Sequence, residues 1–168
     1  MVCMGRSGLE KAAVGQARKF RSIARPLATI RRMTTKYLLA WAATFVVMLV
    51  IDLLWLGVIA KSLYQQAMGE LMSPQPRLAF AALFYLMYPV GLVIFAVLPG
   101  VNADSLARAA VLGALFGLFA YGTYDLTNLA VVRGWPLGLS FIDMAWGTLA
   151  SGVSATAGAA ALRWFASR

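Results

Sequence analysis

Four long apolar runs separated by short polar links set the layout of this chain. The runs cover about residues 37–59, 76–98, 107–132 and 139–165, each long enough to cross about 30 Å of hydrocarbon as a helix. The links hold the residues that stop helices. Lys61, Glu70 and Pro74 mark a polar loop over 60–75, Pro99, Gly100, Asn102 and Asp104 make a short turn, and Arg133, Gly134, Trp135 and Pro136 close the third run. Pro89 lies inside the second run and withholds one backbone donor, so a kink is expected near Tyr85. The pattern predicts an all-α, polytopic membrane protein: a four-transmembrane-helix bundle over 33–168, preceded by a basic N-terminal extension at 1–32.

Polar residues interrupt the apolar runs in a pattern of their own. The third run contains Tyr121 to Asn128, reading YGTYDLTN, and the first and fourth each carry one aspartate, Asp52 and Asp143. A charged side chain at the centre of a membrane helix costs about 2.5–3.5 kcal/mol on insertion scales. If the runs alternate in direction, Asp52 lies about 10 Å before its helix leaves the bilayer, Asp125 is placed comparably, and Asp143 falls in the first turns of the fourth helix. Asp52, Tyr85, Asp125, Asn128 and Asp143 are then expected in one layer below one membrane surface. On the third helix Gly113, Gly117, Tyr121, Asp125 and Asn128 follow one stripe, and on the fourth Asp143, Gly147, Ser151, Ser154 and Gly158 do the same. The two stripes predict close packing at one end and a polar cup at the other.

Composition supports the membrane reading and narrows the chemistry. The chain is 61% hydrophobic and 12% charged, with a mean hydropathy of +0.76, far from the soluble norm. Its net charge of +9 does not point to nucleic acid, because the bases are placed asymmetrically. Arg6, Lys11, Arg18, Lys19, Arg21, Arg25, Arg31, Arg32 and Lys36 precede the first run, and Arg108, Arg163 and Arg168 fall on the same side. Lys61, Arg77 and Arg133 lie on the other. The bias puts both termini on the cytoplasmic side, and starting the count at Met33 weakens it without reversing it. There is no histidine, and the single cysteine, Cys3, is in the N-terminal stretch. A disulfide framework, a zinc-thiolate site and a Cys/His dyad are therefore excluded within one chain.

The first 32 residues differ from the rest. They are basic, with Glu10 as their one acid, and a helix over 9–27 would put Leu9, Ala13, Phe20, Ile23 and Leu27 on one face, as a membrane-surface or organellar targeting helix does. Met33 opens MTTKYLLAW, so a mis-assigned start is the favoured reading of the extension, which is expected to be poorly ordered.

DLLWLG at Asp52 to Gly57, FYLMYP at Phe84 to Pro89, YGTYDLTN at Tyr121 to Asn128 and DMAWG at Asp143 to Gly147 together resemble a bacterial family of predicted membrane proteins, domain of unknown function 2177. The likeness runs from about Met33 to the C-terminus, and YGTYDLTN is its specific part. The resemblance implies a small bacterial inner-membrane protein with four helices and implies no particular activity.

The polar layer supports three classes of function. As a binding or transport site for a small or amphipathic molecule, it would use Asp52, Trp55, Tyr85, Tyr121, Asp125, Asn128, Asp143 and Trp146. Carboxylates and phenols lining an outward cup suit a cation, a proton relay or an amphiphile headgroup. As a lipid-modifying enzyme, it would use Asp125 or Asp143 as acid or base with Tyr121 or Tyr124 as proton donor. As a non-catalytic subunit, it would use the small-residue helix faces for assembly, including self-assembly. The structural alternative is a layer of hydrogen bonds between helices, with the tryptophans as interfacial anchors. No phosphate loop, nucleotide fingerprint or serine elbow is present. Oxygen ligands from Asp52, Asp125, Asn128 and Asp143 would suit Mg²⁺ or Ca²⁺, but no paired Asp/Glu motif of a metal-dependent lipid enzyme is present. No metal site and no cofactor are therefore expected, and the expected partners are membrane lipids.

Overall fold

A computed structural model describes residues 34–73 and 75–167. The basic extension at 1–32 and the residue Met33, with the helix, disorder and start-site expectations attached to them, lie outside the described residues. Every regular element among the described residues is helical. Helix α1 is Thr34–Ile59, α2 is Lys61–Met68, α3 is Leu78–Asn102, α4 is Leu106–Val131 and α5 is Leu137–Ala166.

The ends of these helices follow from their sequences. Ser105 caps α4 by accepting the Arg108 N–H at 3.1 Å, which satisfies one of the free donors of the first turn. Gly134, at φ 77°, reverses the chain in the short link between α4 and α5, where a side chain would be strained. Gly69, at φ 47°, ends α2 in the same way.

Two expectations are corrected by the backbone. The 60–75 link is not a plain polar loop, since half of it folds as α2. The second apolar helix continues past Pro99 to Asn102, so the turn is confined to 103–105, with Asp104 at φ 50°. Pro99 falls where a new helical segment begins, a position at which its missing N–H costs little. Pro89 sits within α3 and is followed by a π-helical stretch at Val93–Val97. A second π turn, Trp55–Ile59, ends α1 directly after the turn that carries Asp52.

Helices α1, α3 and α4 are each long and apolar enough to cross a membrane, at 26, 25 and 26 residues. Their uncovered faces are apolar, with Val46, Leu53, Phe80, Ile94, Val111 and Phe119 all more than half exposed, surface that lipid rather than water would cover. Helix α5 is longer, at 30 residues, but its Gly, Ala, Ser and Thr leave it less apolar than the other three.

That composition suits an inner helix. Ser154 and Thr156 donate back to the carbonyls of Ala150 and Gly152, both at 2.7 Å, so their hydroxyls are satisfied without a partner helix. Small residues also let backbones approach. Gly113 and Gly117 of α4 pack against Ser151, Ala155 and the Gly147 carbonyl of α5. Gly158 packs against Thr44 and the Ala40 carbonyl of α1 and against Val97 of α3. The dry core lies around this contact: Ala40 and Met48 from α1, Leu92 and Val97 from α3, and Ala155, Ala159 and Leu162 from α5. At the same end of the bundle Arg163 Nη2 pairs with Asp104 Oδ1 at 2.7 Å, tying the last turn of α5 to the α3–α4 turn.

Candidate functional site

Away from the core, the helices enclose a cavity of about 370 Å³. Asp52 of α1 lies at its floor, only 2% exposed. Asp143 and Trp146 of α5, Tyr85 of α3, and Tyr121 and Tyr124 of α4 line it. Leu56, Ala81 and Phe84 form its exposed apolar rim, and Tyr64 closes it from α2. The cavity is small for a ligand site, near the lower end of the usual range of about 300–1,000 Å³.

Each wall residue is positioned by its helix. Asp143 and Trp146 are three residues apart on α5 and so share a face. The Trp146 indole N–H donates to Asp52 Oδ1 at 2.8 Å, joining the ends of the chain's first and last described helices. Its ring stacks on Trp55, with centroids 4.3 Å apart and planes 5° from parallel. Trp55 thus backs the wall rather than lining the cavity. The Tyr85 hydroxyl is a further hydrogen-bonding neighbour of Asp52. One turn along, the Tyr88 hydroxyl and Ser151 Oγ are 2.8 Å apart, and Tyr88 meets Tyr121 edge to face at 6.4 Å.

Tyr121 reaches the cavity because Gly147 has no side chain to obstruct it: a Cβ at Gly147 would overlap the Tyr121 ring. On the far wall the Tyr64 hydroxyl donates to Asp143 Oδ1. Burial, reinforced by that bond, pushes the Tyr64 phenol well above its ordinary range, so it stays a protonated donor.

The structure therefore gathers Asp52, Tyr85, Tyr121, Tyr124, Asp143 and Trp146 around one space. It places Asp125 and Asn128 elsewhere. Asp125 is 2% exposed, but its neighbours are the Ser140 hydroxyl and the Trp135 indole. Its Oδ2 has no hydrogen-bond partner among the described residues. Asn128, half-buried one turn further on, is not on the cavity wall. Tyr124 is three residues past Tyr121 and Asp125 four, so at about 100° per residue they flank Tyr121 on opposite sides of its face, and the cavity lies on the Tyr124 side.

Sequence reasoning missed Tyr64. The available signal was that it is the one aromatic in the 60–75 link. The apolar rim was also missed, because Leu56 and Ala81 look like any lipid-facing residue. Among the described residues no three His, Cys, Asp or Glu side chains converge as a metal site requires.

A family model described as predicted membrane protein (DUF2177) matches residues 37–160, which takes in every residue of the cavity wall. No curated protein and no solved structure matches the chain.

Proposed function

Since the chain belongs to this DUF2177 family of predicted membrane proteins, we propose that it is a multi-pass membrane protein that binds or transports a small or amphipathic molecule in the cavity built on Asp52 and Asp143. The observation that carries the reading is the cavity itself. Two carboxylates, four phenols and an indole converge on an open space, whereas a purely structural polar layer would close on itself through hydrogen bonds between helices.

The reading includes α5 as a fourth span. Thirty residues exceed the roughly 20 that a crossing needs. The Arg163 to Asp104 pair joins its last turn to the α3–α4 turn, next to Arg108, and basic residues favour the cytoplasmic face. On that orientation both termini face the cytoplasm of a bacterial inner membrane, and the cavity lies in the outer half of the bilayer.

The Tyr64 to Asp143 hydrogen bond favours a second reading, acid and base chemistry on a lipid, because it pairs a phenol with a carboxyl at the cavity wall.

The test is to purify wild type and Asp52→Asn in a mild maltoside detergent and analyse what each retains by mass spectrometry. Asparagine keeps an oxygen for the Trp146 N–H, so the two proteins should melt within about 1 kcal/mol of one another. Wild type should carry a species that the variant lacks. If both carry the same species in equal amount, or neither carries any, the binding reading fails. A species returned chemically altered by wild type but intact by Asp143→Asn would establish the second reading instead.

A further inference from the structure

The chemistry of the wall defines the ligand class more narrowly than size and polarity do. Asp52 and Asp143 bring two carboxylates to a small space, and no Lys or Arg lines it among the described residues. The basic side chains of the adjoining links, Lys61, Arg77 and Arg133, are all exposed. The donors these carboxylates meet are neutral, Trp146 and the neighbouring Tyr85 hydroxyl at Asp52 and Tyr64 at Asp143. A carboxylate has about four lone-pair sites, so acceptor capacity is left over and no cation of the chain is there to use it.

The rest of the wall is aromatic. Tyr85, Tyr121, Tyr124 and Phe84 join Trp146 around the same space. Aromatic faces attract cations through the ring quadrupole, most strongly where water is excluded. An anionic headgroup would meet two carboxylates with no positive charge to offset them, and a hard metal ion would meet too few oxygen ligands. An organic ammonium meets both of its recognition elements at once, carboxylate oxygens for its charge and rings for its alkyl surface.

We propose, on the basis of the cavity reading above, that this site takes a substituted ammonium group, with Asp52 and Asp143 as counter-charges and Tyr85, Tyr121 and Trp146 as the aromatic cage. The group is supplied either by a free amine or by the headgroup of a lipid. A headgroup's chain would leave past Leu56, Ala81 and Phe84, which form the apolar rim on the faces of α1 and α3.

The experiment is calorimetric titration of the full chain in maltoside detergent with three probes: tetramethylammonium, dodecyltrimethylammonium and dodecanoate. Wild type should bind the cationic probes, and Asp52→Asn and Asp143→Asn should each weaken that binding by about 10- to 100-fold, the range expected for one charge-assisted contact. Asp104→Asn is the control, since it removes a carboxylate at the other end of the bundle, where Asp104 pairs with Arg163, and it should bind the cationic probes as wild type does. Binding of tetramethylammonium identifies a free amine as sufficient, whereas binding of dodecyltrimethylammonium alone identifies the lipid source.

The ammonium proposal is overturned if dodecanoate binds as tightly as its cationic counterpart, or if neither aspartate variant weakens cation binding. Dodecanoate binding that Tyr121→Phe abolishes would leave the cavity reading standing with a different ligand. If none of the probes binds, or none binds in a way that these variants change, the ammonium proposal falls. If, in addition, Asp52→Asn retains whatever wild type carries after purification, the cavity reading falls with it.

Discussion

Helices α4 and α5 touch along one seam, yet its two ends do opposite things with the same residue type. At Gly113 and Gly117 the missing side chains bring backbone to backbone, and an added Cβ would run into Ser151, Ala155 or the Gly147 carbonyl. At Gly147 the missing side chain is replaced by a ring from the other helix, since Tyr121 occupies the space a Cβ would take. The first use of glycine closes the bundle, and the second lets a phenol reach the cavity. Glycine in a membrane helix is therefore not one signal: what faces it decides whether it serves contact or access.

The contrast is open to direct attack. The largest effect should come from Gly117→Val, whose extra atoms meet a backbone carbonyl that cannot turn aside. A loss of about 3 kcal/mol or more is expected, read as failure to accumulate or as a strongly lowered melting temperature in detergent. Gly147→Ala is next, because it meets a side chain rather than backbone. A cost of about 1–3 kcal/mol is expected, together with displacement of Tyr121, which a crystal structure or loss of probe binding would register. If Gly147→Ala destabilises as much as Gly117→Val and leaves binding intact, the distinction between the two ends is wrong.

Smaller changes sharpen the boundary between them. Tyr88→Phe removes the hydroxyl that meets Ser151, and Ser151 is free to turn to its own helix as Ser154 does. A loss of about 1 kcal/mol is expected, measurable by chemical unfolding, with binding unaffected. Arg163→Ala should be smallest, below about 1 kcal/mol, because its pair with Asp104 is largely exposed at 38% and 83%. A larger drop in its melt would mean that this ion pair supports the dry end more than its exposure suggests.

The apolar helices were legible in the sequence because bilayer length and hydropathy leave few alternatives, and they begin and end within a few residues of expectation. The glycine stripes were legible through helical spacing, and so was the gathering of Asp52, Tyr85, Tyr121, Asp143 and Trp146 near one end. Asp125 shows the limit of that spacing. A stripe states which residues share a face, but which edge of that face meets the cavity depends on the chain that packs beside it. Here Ser140 and the Trp135 indole, from beyond the α4 terminus, are the neighbours of the carboxyl. Tyr64 was hidden for a related reason. Its helix is only eight residues long, too short for local pattern to fix it, and it is held by a bond to a residue 79 positions away.

The hydrogen bond from Trp146 to Asp52 joins residues 94 positions apart, and this gives the molecule a history as well as a shape. A chain made from its N-terminus delivers α1 to the membrane before the helix that will satisfy Asp52 has been translated. At about 5–20 residues per second, the interval is roughly 5–20 s. For that time a carboxyl sits in the bilayer or at its edge without its final donor, which favours a position near the interface. The α4–α5 hairpin, whose partners are close in sequence, has no such wait. Helix α1 therefore waits for α5 at both ends of the bundle, at the dry end where Ala40 and Met48 meet Ala155 and Ala159, and at the floor of the cavity.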